Sequence, residues 1–266
     1  MINVPAKIYP LVLLLALIAG GAGAQVRFKK GDEFQRQVFV KSNCVLQRGG
    51  QNLHVSSSSV ITRSYKAIEA SDRGASFAIS TEKLIDTVNA MDQTMVYTTA
   101  KPADPNSNIQ TGLQRLAGVQ ISASLNAKGE VISMHRSAAV NDTLMAFAGI
   151  QPESLQQGNT LPFMIGFQYN PVFKKGYSWT VTTPSGETTY TIYGISGRTT
   201  TITYKTAILG GNLNSRINGS MMIDNESGLI LKRCSQTVSV GYEMVNGVVY
   251  TATRRTAIAE MCTKKQ

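Results

Sequence analysis

Turn signals about 10 to 15 residues apart divide the second half of the chain into segments rich in Thr, Val, Ile and Tyr. These residue types favour strands, whereas Gly, Pro and Asn favour the tight turns between strands. The strongest signal is the pair Asn246 and Gly247, because Asn-Gly is preferred in two-residue hairpins. The spacing predicts a mainly β protein built as an antiparallel meander. The other turn signals lie at 184–186, 195–197, 210–211 and 224–228.

The first half of the chain has the same character with less regular turns. Residues 34–46 alternate in polarity, so that Val38, Val40, Cys44 and Leu46 are predicted to share one buried face. Further strands are predicted at 53–70, at 76–88 with an extension at 95–99, at 119–125 and at 130–134.

A seven-residue segment occurs near the start of each half, and both copies begin Phe-Lys-Lys-Gly. Each copy predicts a turn at its glycine, Gly31 or Gly176, that leads into a strand. Phe34 and Trp179 are predicted to be buried in those strands. A shorter echo joins the hairpins at residues 126–129 and 225–228.

Residues 136–170 are predicted to form a helical connector between the halves. Ser137 suits an N-cap, and Leu144 and Phe147 follow with helical spacing, so a main helix is predicted at 139–148. We expect its apolar side chains to pack on the concave face of the sheet. A shorter helix is predicted at 109–116.

Together these patterns predict a mainly β fold with minor α content, an antiparallel meander with one main helix packed on it. The meander is either curved into a half-barrel or split into two coupled lobes. The mature chain, residues 25–266, is predicted to be a single β domain, and the lobes would be 25–135 and 171–266.

The first 24 residues have the composition of a signal peptide. Lys7 precedes an apolar run at 11–18, and small residues at 22–24 suit cleavage after Ala24. The run is much shorter than the roughly 20 residues of a membrane-spanning helix. We therefore expect an exported protein, in the periplasm or at the exterior of a Gram-negative bacterium, without an integral membrane segment after signal removal.

The chain is basic, with a formal net charge of +10. The simplest interpretation is a soluble basic surface, and the functional one is attraction to anionic lipid or glycan. The lysines and arginines are scattered along the predicted strands rather than clustered with aromatic residues. This distribution argues against a nucleic-acid partner.

Cys44, Cys234 and Cys262 are too few for a disulfide scaffold. A two-residue turn at Asn246 and Gly247 would place Cys234 opposite Ala259, too far from Cys262 for a bridge. A turn one residue longer would leave a marginal diagonal pair, but Asn-Gly favours the shorter turn. We predict that any bridge involves Cys44, and that otherwise all three are thiols.

No pattern in the sequence indicates catalysis, a metal site or a cofactor. His54 and His135 are the only histidines, and neither has a nucleophile motif or metal-ligand spacing beside it. Asp224 and Glu226 resemble a carboxylate pair, yet turn chemistry explains them better. The protein is therefore predicted to be non-catalytic, with an envelope hydrolase as the weaker alternative.

Aromatic and methionine side chains recur along the second-half strands. They are interpreted either as core or as the lining of an adaptable apolar cavity. The candidate cavity residues are Leu144, Phe147, Tyr204, Met222 and Tyr242.

Three short motifs, at 29–34, 126–131 and 176–179, resemble those of an uncharacterised family of exported bacterial β proteins, a domain of unknown function. Such proteins are similar to the periplasmic half-barrels of lipoprotein carriers, in which a curved antiparallel sheet wraps helices around an apolar cavity. The resemblance brings no established activity and no catalytic residues. The cavity interpretation of the second-half side chains predicts a periplasmic binding or carrier protein for a lipid or amphipathic ligand. The alternative is a structural or envelope-assembly protein whose partner is another envelope protein.

Overall fold

The computed structural model describes residues 28–102, 104–137, 155–165, 173–183, 186–209, 212–245 and 247–265. Twelve strands and one helix occur in these residues, and the strands form one antiparallel sheet. Their bounds are β1 (Glu33–Arg48), β2 (Gln51–Ser71), β3 (Gly74–Ala90), β4 (Gln93–Thr98), α1 (Asn108–Gly118), β5 (Ile121–Asn126), β6 (Val131–Arg136), β7 (Ser178–Thr183), β8 (Gly186–Ser196), β9 (Thr199–Ile208), β10 (Leu213–Asp224), β11 (Ile230–Val245) and β12 (Val248–Lys265).

The order of the strands across the sheet is β6-β5-β3-β2-β1-β12-β11-β10-β9-β8-β7. The first strand of the chain therefore pairs with the last, along a register from Glu33 opposite Lys265 to Gln47 opposite Thr251. This pairing joins two meanders into one sheet, which remains open between β6 and β7. The predicted mainly β, antiparallel, half-barrel architecture is confirmed.

Strand β3 has two neighbours along its outer edge. Its first part, Gly74 to Ile79, pairs with β5, and its last part pairs with β4. The segment 95–99, expected to extend β3, belongs instead to β4, which returns after a turn at Met91 and Asp92. Both turn residues have positive φ angles, 52° and 60°, which Asp tolerates and Met rarely adopts. The sequence therefore carried no glycine signal for this turn.

Helix α1 confirms the short helix predicted at 109–116. The Ser107 hydroxyl accepts a hydrogen bond from the Gln110 N–H, and Leu113 and Leu116 are buried. The Gln110 side chain is also buried and bonds the Thr98 N–H and carbonyl at 3.2 and 2.8 Å. The main helix predicted at 139–148 lies outside the described residues.

A short irregular segment, 155–165, contacts both halves of the sheet. Its Asn159 carbonyl accepts a hydrogen bond from the Val131 N–H, and its Phe163 carbonyl accepts one from the Ile230 N–H. Leu161 and Phe163 are fully buried in a cluster of apolar side chains. Aromatic rings of that cluster make edge and stacked contacts around Phe163.

The repeated lysine-glycine segments form equivalent turns, as predicted. Gly31 and Gly176 have φ angles of +91° and +88°. The Gly31 N–H donates to the Ala67 carbonyl, and the Gly176 N–H donates to the Ile192 carbonyl in the same way, each at 2.8 Å. Each turn thus attaches to the neighbouring strand by the same hydrogen bond.

Burial after the two turns is unequal. Phe34 is buried, as predicted. The predicted burial of Trp179 was wrong, because this side chain is only half-buried. Trp179 lies on β7, the last strand of the sheet, so no further strand covers its outer side.

The register of the last hairpin is the predicted one. Met244 pairs with Val249, and Cys234 pairs with Ala259. Cys262 lies three positions further along β12. The three cysteines are free thiols: Cys44 and Cys262 are buried and Cys234 is exposed.

Candidate ligand-binding site

Strand registers assign each side chain of the sheet to one of two faces. On β1, Val38, Val40 and Cys44 point to the side that carries α1 and the buried clusters, which we call the core face. The opposite side is the open face. Phe39 lies on it and is 38% exposed, whereas its neighbour Val40 is 4% exposed.

A groove of about 760 Å³ crosses five adjacent strands from β2 to β10. The registers place its open-face side chains in two parallel rows, with backbone between them. Neighbouring strands are about 4.8 Å apart, so four spacings give a groove roughly 19 Å long. One row contains Phe39, Val60, Ala259, Cys234 and Ser220, and the other contains Lys41, Ser58, Ala257, Gln236 and Asn218.

The depth of the groove comes from small side chains at its middle. Ala257 and Ala259 from β12 lie between the longer side chains of β1 and β11. Phe39 and Val60, directly opposite each other on β1 and β2, form an apolar wall at one end. The groove can therefore hold a narrow apolar chain against the sheet.

Two cations stand at the edge of the groove. Lys41 pairs with Ala257, so it is diagonal to Arg255 on the same face, at a typical Cα spacing of about 7 Å. Within the described residues neither side chain makes an ion pair. Two acids on this face, Glu33 and Glu82, both bind Lys265 at 2.7 Å. Lys41 and Arg255 are thus available to an anion.

The structure describes three of the five cavity residues predicted from the sequence, and it does not bring them together. Tyr204 is half-buried on the core face, whereas Met222 and Tyr242 lie on the open face. Met222 and Tyr242 are separated along the strands, with the groove between their levels. Leu144 and Phe147 lie outside the described residues.

Tyr204 belongs to a row of aromatic rings on the core face of β7 to β9. Its ring lies 6.0 Å from that of Tyr190, which stacks on Trp179 at 5.3 Å. Burial raises the pKa of both tyrosines, and the nearby Arg233 partly opposes this. Tyr204 also fills the space above Gly219, where a Cβ atom would come within 2.4 Å of its ring. This row of rings is part of the packed core. It requires glycine at position 219, because a side chain there would clash with Tyr204.

The histidines and acids considered for catalysis are dispersed. His54 pairs with Val45 rather than with Cys44, so the histidine and the thiol lie on opposite faces. Burial raises the pKa of the Cys44 thiol. Asp224 accepts hydrogen bonds from the Glu226 and Ser227 N–H groups and an ion pair from Arg198. Its pKa is lowered because these bonds outweigh the opposing effect of burial. Asp224 therefore shapes a turn.

Among the residues that the structure describes, no three His, Cys, Asp or Glu side chains are close enough to share a metal ion. No helix in the same part of the chain is long and apolar enough to cross a membrane.

Sequence reasoning missed the groove because it concentrated on the second-half aromatics. One signal was present in β1. Phe39 is an apolar residue in phase with Gln35, Gln37 and Lys41, on the face opposite the buried one. The small residues of β12 gave no signal, since alanine is common on both faces of a sheet.

No protein-family model matches the chain, and no curated protein sequence matches it. Among solved structures the chain is similar to lipovitellin, in a study of its lipid-protein interactions. The TM-score is 0.53 and the sequence identity 12%, over 89% of this chain and 25% of that one. The chain thus spans about a quarter of the length of lipovitellin, and the similarity shows the fold alone.

Two further structures are similar at lower scores. Pseudomonas aeruginosa OpdQ has a TM-score of 0.23 at 6% identity, over 90% of this chain and 100% of that one. A DUF1329 family protein from Desulfovibrio piger has a TM-score of 0.16 at 8% identity, over 89% and 87% of the two chains.

Proposed function

We propose that this protein binds an amphipathic ligand with an apolar chain and an anionic head group, and that it does so in the groove on the open face. The observation that carries the proposal is the groove itself, about 760 Å³ in volume, with Lys41 in its lining and Arg255 diagonal to Lys41 on the same face. Ligand sites in proteins typically have volumes of about 300 to 1,000 Å³, mostly apolar walls and a few placed polar groups.

The apolar chain would lie across the strands. Phe39 and Val60 supply one wall, and Ala257 and Ala259 leave the space that the chain fills. Each buried methylene group contributes about 0.8 kcal/mol at most. A chain extended over roughly 19 Å would therefore supply most of the binding energy.

The head group would lie at Lys41 and Arg255. Two unpaired cations repel each other, and an anion between them removes that repulsion while gaining charge-assisted hydrogen bonds. Fatty-acid carboxylates and lipid phosphates share this chemistry, and their separate titrations distinguish the two sources.

The similarity to lipovitellin supports the ligand class, because that structure concerns lipid-protein interactions. The signal-like segment before residue 25 supports a further proposal, that the protein acts after export, in the periplasm or outside the cell. Binding without catalysis is the activity that the groove supports best, since it holds no histidine or carboxylate.

The proposal is tested by titration with cis-parinaric acid, a fluorescent fatty acid. Ala257→Trp fills the groove from an exposed position. We expect the affinity of this variant for cis-parinaric acid to fall by at least about tenfold, or about 1.4 kcal/mol. The matched control is Ala78→Trp on the open face of β3, outside the groove. Equal loss in both variants, or no loss in Ala257→Trp, would overturn the groove as the site.

The head group is tested separately with Lys41→Glu and Arg255→Glu, compared with Lys30→Glu in a distant turn. Each variant is titrated with the fatty acid and, separately, with a lyso-phospholipid. We expect Lys41→Glu and Arg255→Glu to bind both ligands more weakly than the unaltered protein does, and Lys30→Glu to bind them equally well. A fatty amine bound as tightly as the fatty acid by the unaltered protein would exclude an anionic head. Mass spectrometry of an organic extract identifies any ligand that co-purifies, and capture of an envelope protein instead would favour an assembly role.

A further inference from the structure

The turns of the sheet are divided between its two ends. At one end lie the turns β1–β2, β3–β4, β7–β8, β9–β10 and β11–β12, because each of these strand pairs is an antiparallel hairpin closed on that side. We call this end the apolar rim, for the side chains described next. The turns β2–β3, β5–β6, β8–β9 and β10–β11 lie at the opposite end.

The apolar rim carries the most exposed large apolar side chains of the described residues. Met91 and Leu209 are each 74% exposed and Met244 is 72% exposed. Met91 lies in the β3–β4 turn, Leu209 follows β9, and Met244 lies near the end of β11, beside the β11–β12 turn. Tyr242 and Val249, 62% and 52% exposed, adjoin Met244 on the open face.

The turns at the opposite end present charged side chains to solvent. Asp72 and Arg73 lie in β2–β3, Lys128 in β5–β6, and Arg198 in β8–β9, all of them exposed. Large apolar side chains are exposed near this end as well, among them Tyr193, Ile195 and Tyr177, but they lie on or beside strands and not at the tips of its turns. The apolar rim differs in carrying its most exposed apolar side chains at or next to its turns. Exposed apolar groups gathered in one place typically mark an interaction surface.

The β3–β4 turn adds an independent observation. Met91 and Asp92 occupy its two central positions with positive φ angles of 52° and 60°. Asn and Gly are favoured in this conformation, and other residues pay roughly 1 kcal/mol or more of strain in it. Met91 keeps this strained conformation although its side chain is in water. This supports the interpretation that the Met91 side chain contacts a partner.

Charge on the adjoining part of the open face identifies the kind of surface. Between the groove and the apolar rim, the described open-face residues of β1, β2 and β9–β12 include Arg216, Arg255 and His54 and no acid. Arg48 is exposed in the β1–β2 turn. Asp92 and Glu187, at the flanks, are the exposed acids near this end. A predominantly cationic zone behind apolar tips complements an anionic lipid surface.

The spacing of the anchors also favours a lipid surface over a protein. Met91 and Leu209 are separated by six strand spacings, roughly 29 Å at 4.8 Å each. Protein interfaces gather their apolar contacts into a packed centre. Single side chains dispersed over separate turns are instead suited to a fluid bilayer, which closes around each of them.

We propose that the apolar rim docks on an anionic lipid surface, with Met91, Leu209 and Met244 inserted at the interface. The open face is inclined toward the bilayer, so that Arg216 contacts lipid phosphates and Tyr242 lies at the head-group level. Arg48 contacts phosphates from the end of β1, at the rim itself. This inclination directs the groove toward the lipid. The docking does not depend on the groove being occupied.

Flotation with phosphatidylcholine vesicles, with and without phosphatidylglycerol, tests the proposal. We expect binding to the anionic vesicles that weakens as salt is added. The double variant Tyr242→Ser, Met244→Ser is expected to lose at least about fivefold in vesicle affinity. The matched control is Tyr193→Ser, because Tyr193 is 66% exposed but lies toward the opposite end of the sheet.

A second pair of variants separates charge from apolar contact. Arg48→Gln and Arg216→Gln should weaken binding to phosphatidylglycerol vesicles and flatten its salt dependence. Ala257→Trp should leave vesicle binding unchanged, so failure of the groove and failure of the docking are distinguishable.

Equal binding to neutral and anionic vesicles, or equal loss in Tyr193→Ser, would overturn the proposal. So would a dimer seen by light scattering that the Tyr242 and Met244 substitutions dissociate, since the rim would then contact a second copy of the chain.

Discussion

The carboxyl group of Asp86 is buried on the core face of β3, and so is the hydroxyl of Ser59 opposite it on β2. Neither carboxylate oxygen makes a hydrogen bond of normal geometry. Burial raises the pKa of Asp86 from its ordinary value of 3.8 to about 7, against a smaller opposing effect of the Thr87 N–H. Buried carboxyls without a partner are neutral where exposed ones are charged.

This burial predicts how stability depends on pH. Between pH 4 and pH 7 the folded state keeps a proton on Asp86 that the unfolded state has lost. The contribution of this group therefore falls as the pH rises through that range, and it stays low above pH 7. Asp86→Asn should remove the dependence and stabilise the protein at pH 8, by up to about 4 kcal/mol.

Urea unfolding at pH 5 and pH 8 checks this prediction. Asp72→Asn is the control, because Asp72 is exposed in the β2–β3 turn. A variant at Asp86 that is destabilised equally at both pH values would show that the carboxylate is needed in its charged form.

At the scale of the element, a buried side chain of α1 bonds the end of β4 and the residues that follow it. Gln110 bonds the backbone of Thr98, Lys101 and Pro102 while it is almost fully buried. Gln110→Ala leaves these groups without their partner, which typically costs about 1 to 3 kcal/mol. We expect a corresponding loss of stability in thermal unfolding followed by circular dichroism.

The control for this variant is Gln120→Ala, an exposed residue just after the helix. A change within about 0.5 kcal/mol is expected there. If Gln110→Ala were equally mild, water would be able to replace the side chain, and α1 would be held by the buried Leu113 and Leu116 and by the Gln114 hydrogen bond to the Thr99 carbonyl.

The elements themselves were largely predictable from local chemistry. The Asn246-Gly247 turn fixed the register of β11 and β12, because its two-residue geometry leaves one way to pair Cys234 with Ala259. The β3–β4 turn was not predictable, since it contains no glycine and Met91 adopts a conformation that methionine disfavours. Local preference decides most turns, and tertiary contacts decide the exceptions.

At the scale of the molecule, one sheet connects both halves, which predicts that they unfold together. Trp179 on β7 reports on the second half, and Phe77 is fully buried in the first half. Phe77→Ala should cost about 3 to 5 kcal/mol. We expect the midpoint of the Trp179 fluorescence transition to shift as far as that of circular dichroism.

A Trp179 transition that Phe77→Ala leaves in place would mean that the halves unfold separately, as two coupled lobes. Trp179→Phe, followed by circular dichroism alone, shows whether the reporter residue itself alters the transition. The division of the chain into one domain or two stays a prediction until this measurement.

The partners of β1 and the open-face groove could not be derived from the sequence. Alternation within β1 separates Val38 and Val40 from Phe39, but it does not say which strand lies beside them. The groove exists only because β12 brings Ala257 and Ala259 next to β1. Pairing across more than 200 residues depends on the whole sheet, and short motifs carry no information about it.

The pairing of β1 with β12 also determines when this protein can fold. Translation produces β12 last, so a nascent chain lacks the strand at the centre of the sheet. Until then β1 and β11 each present an unpaired edge, which is a hazard for aggregation. The same order delays the finished sheet until β12 has left the ribosome. Under the export proposed above, the chain would remain unfolded long enough to pass through a translocation channel, and it would complete its sheet on the far side.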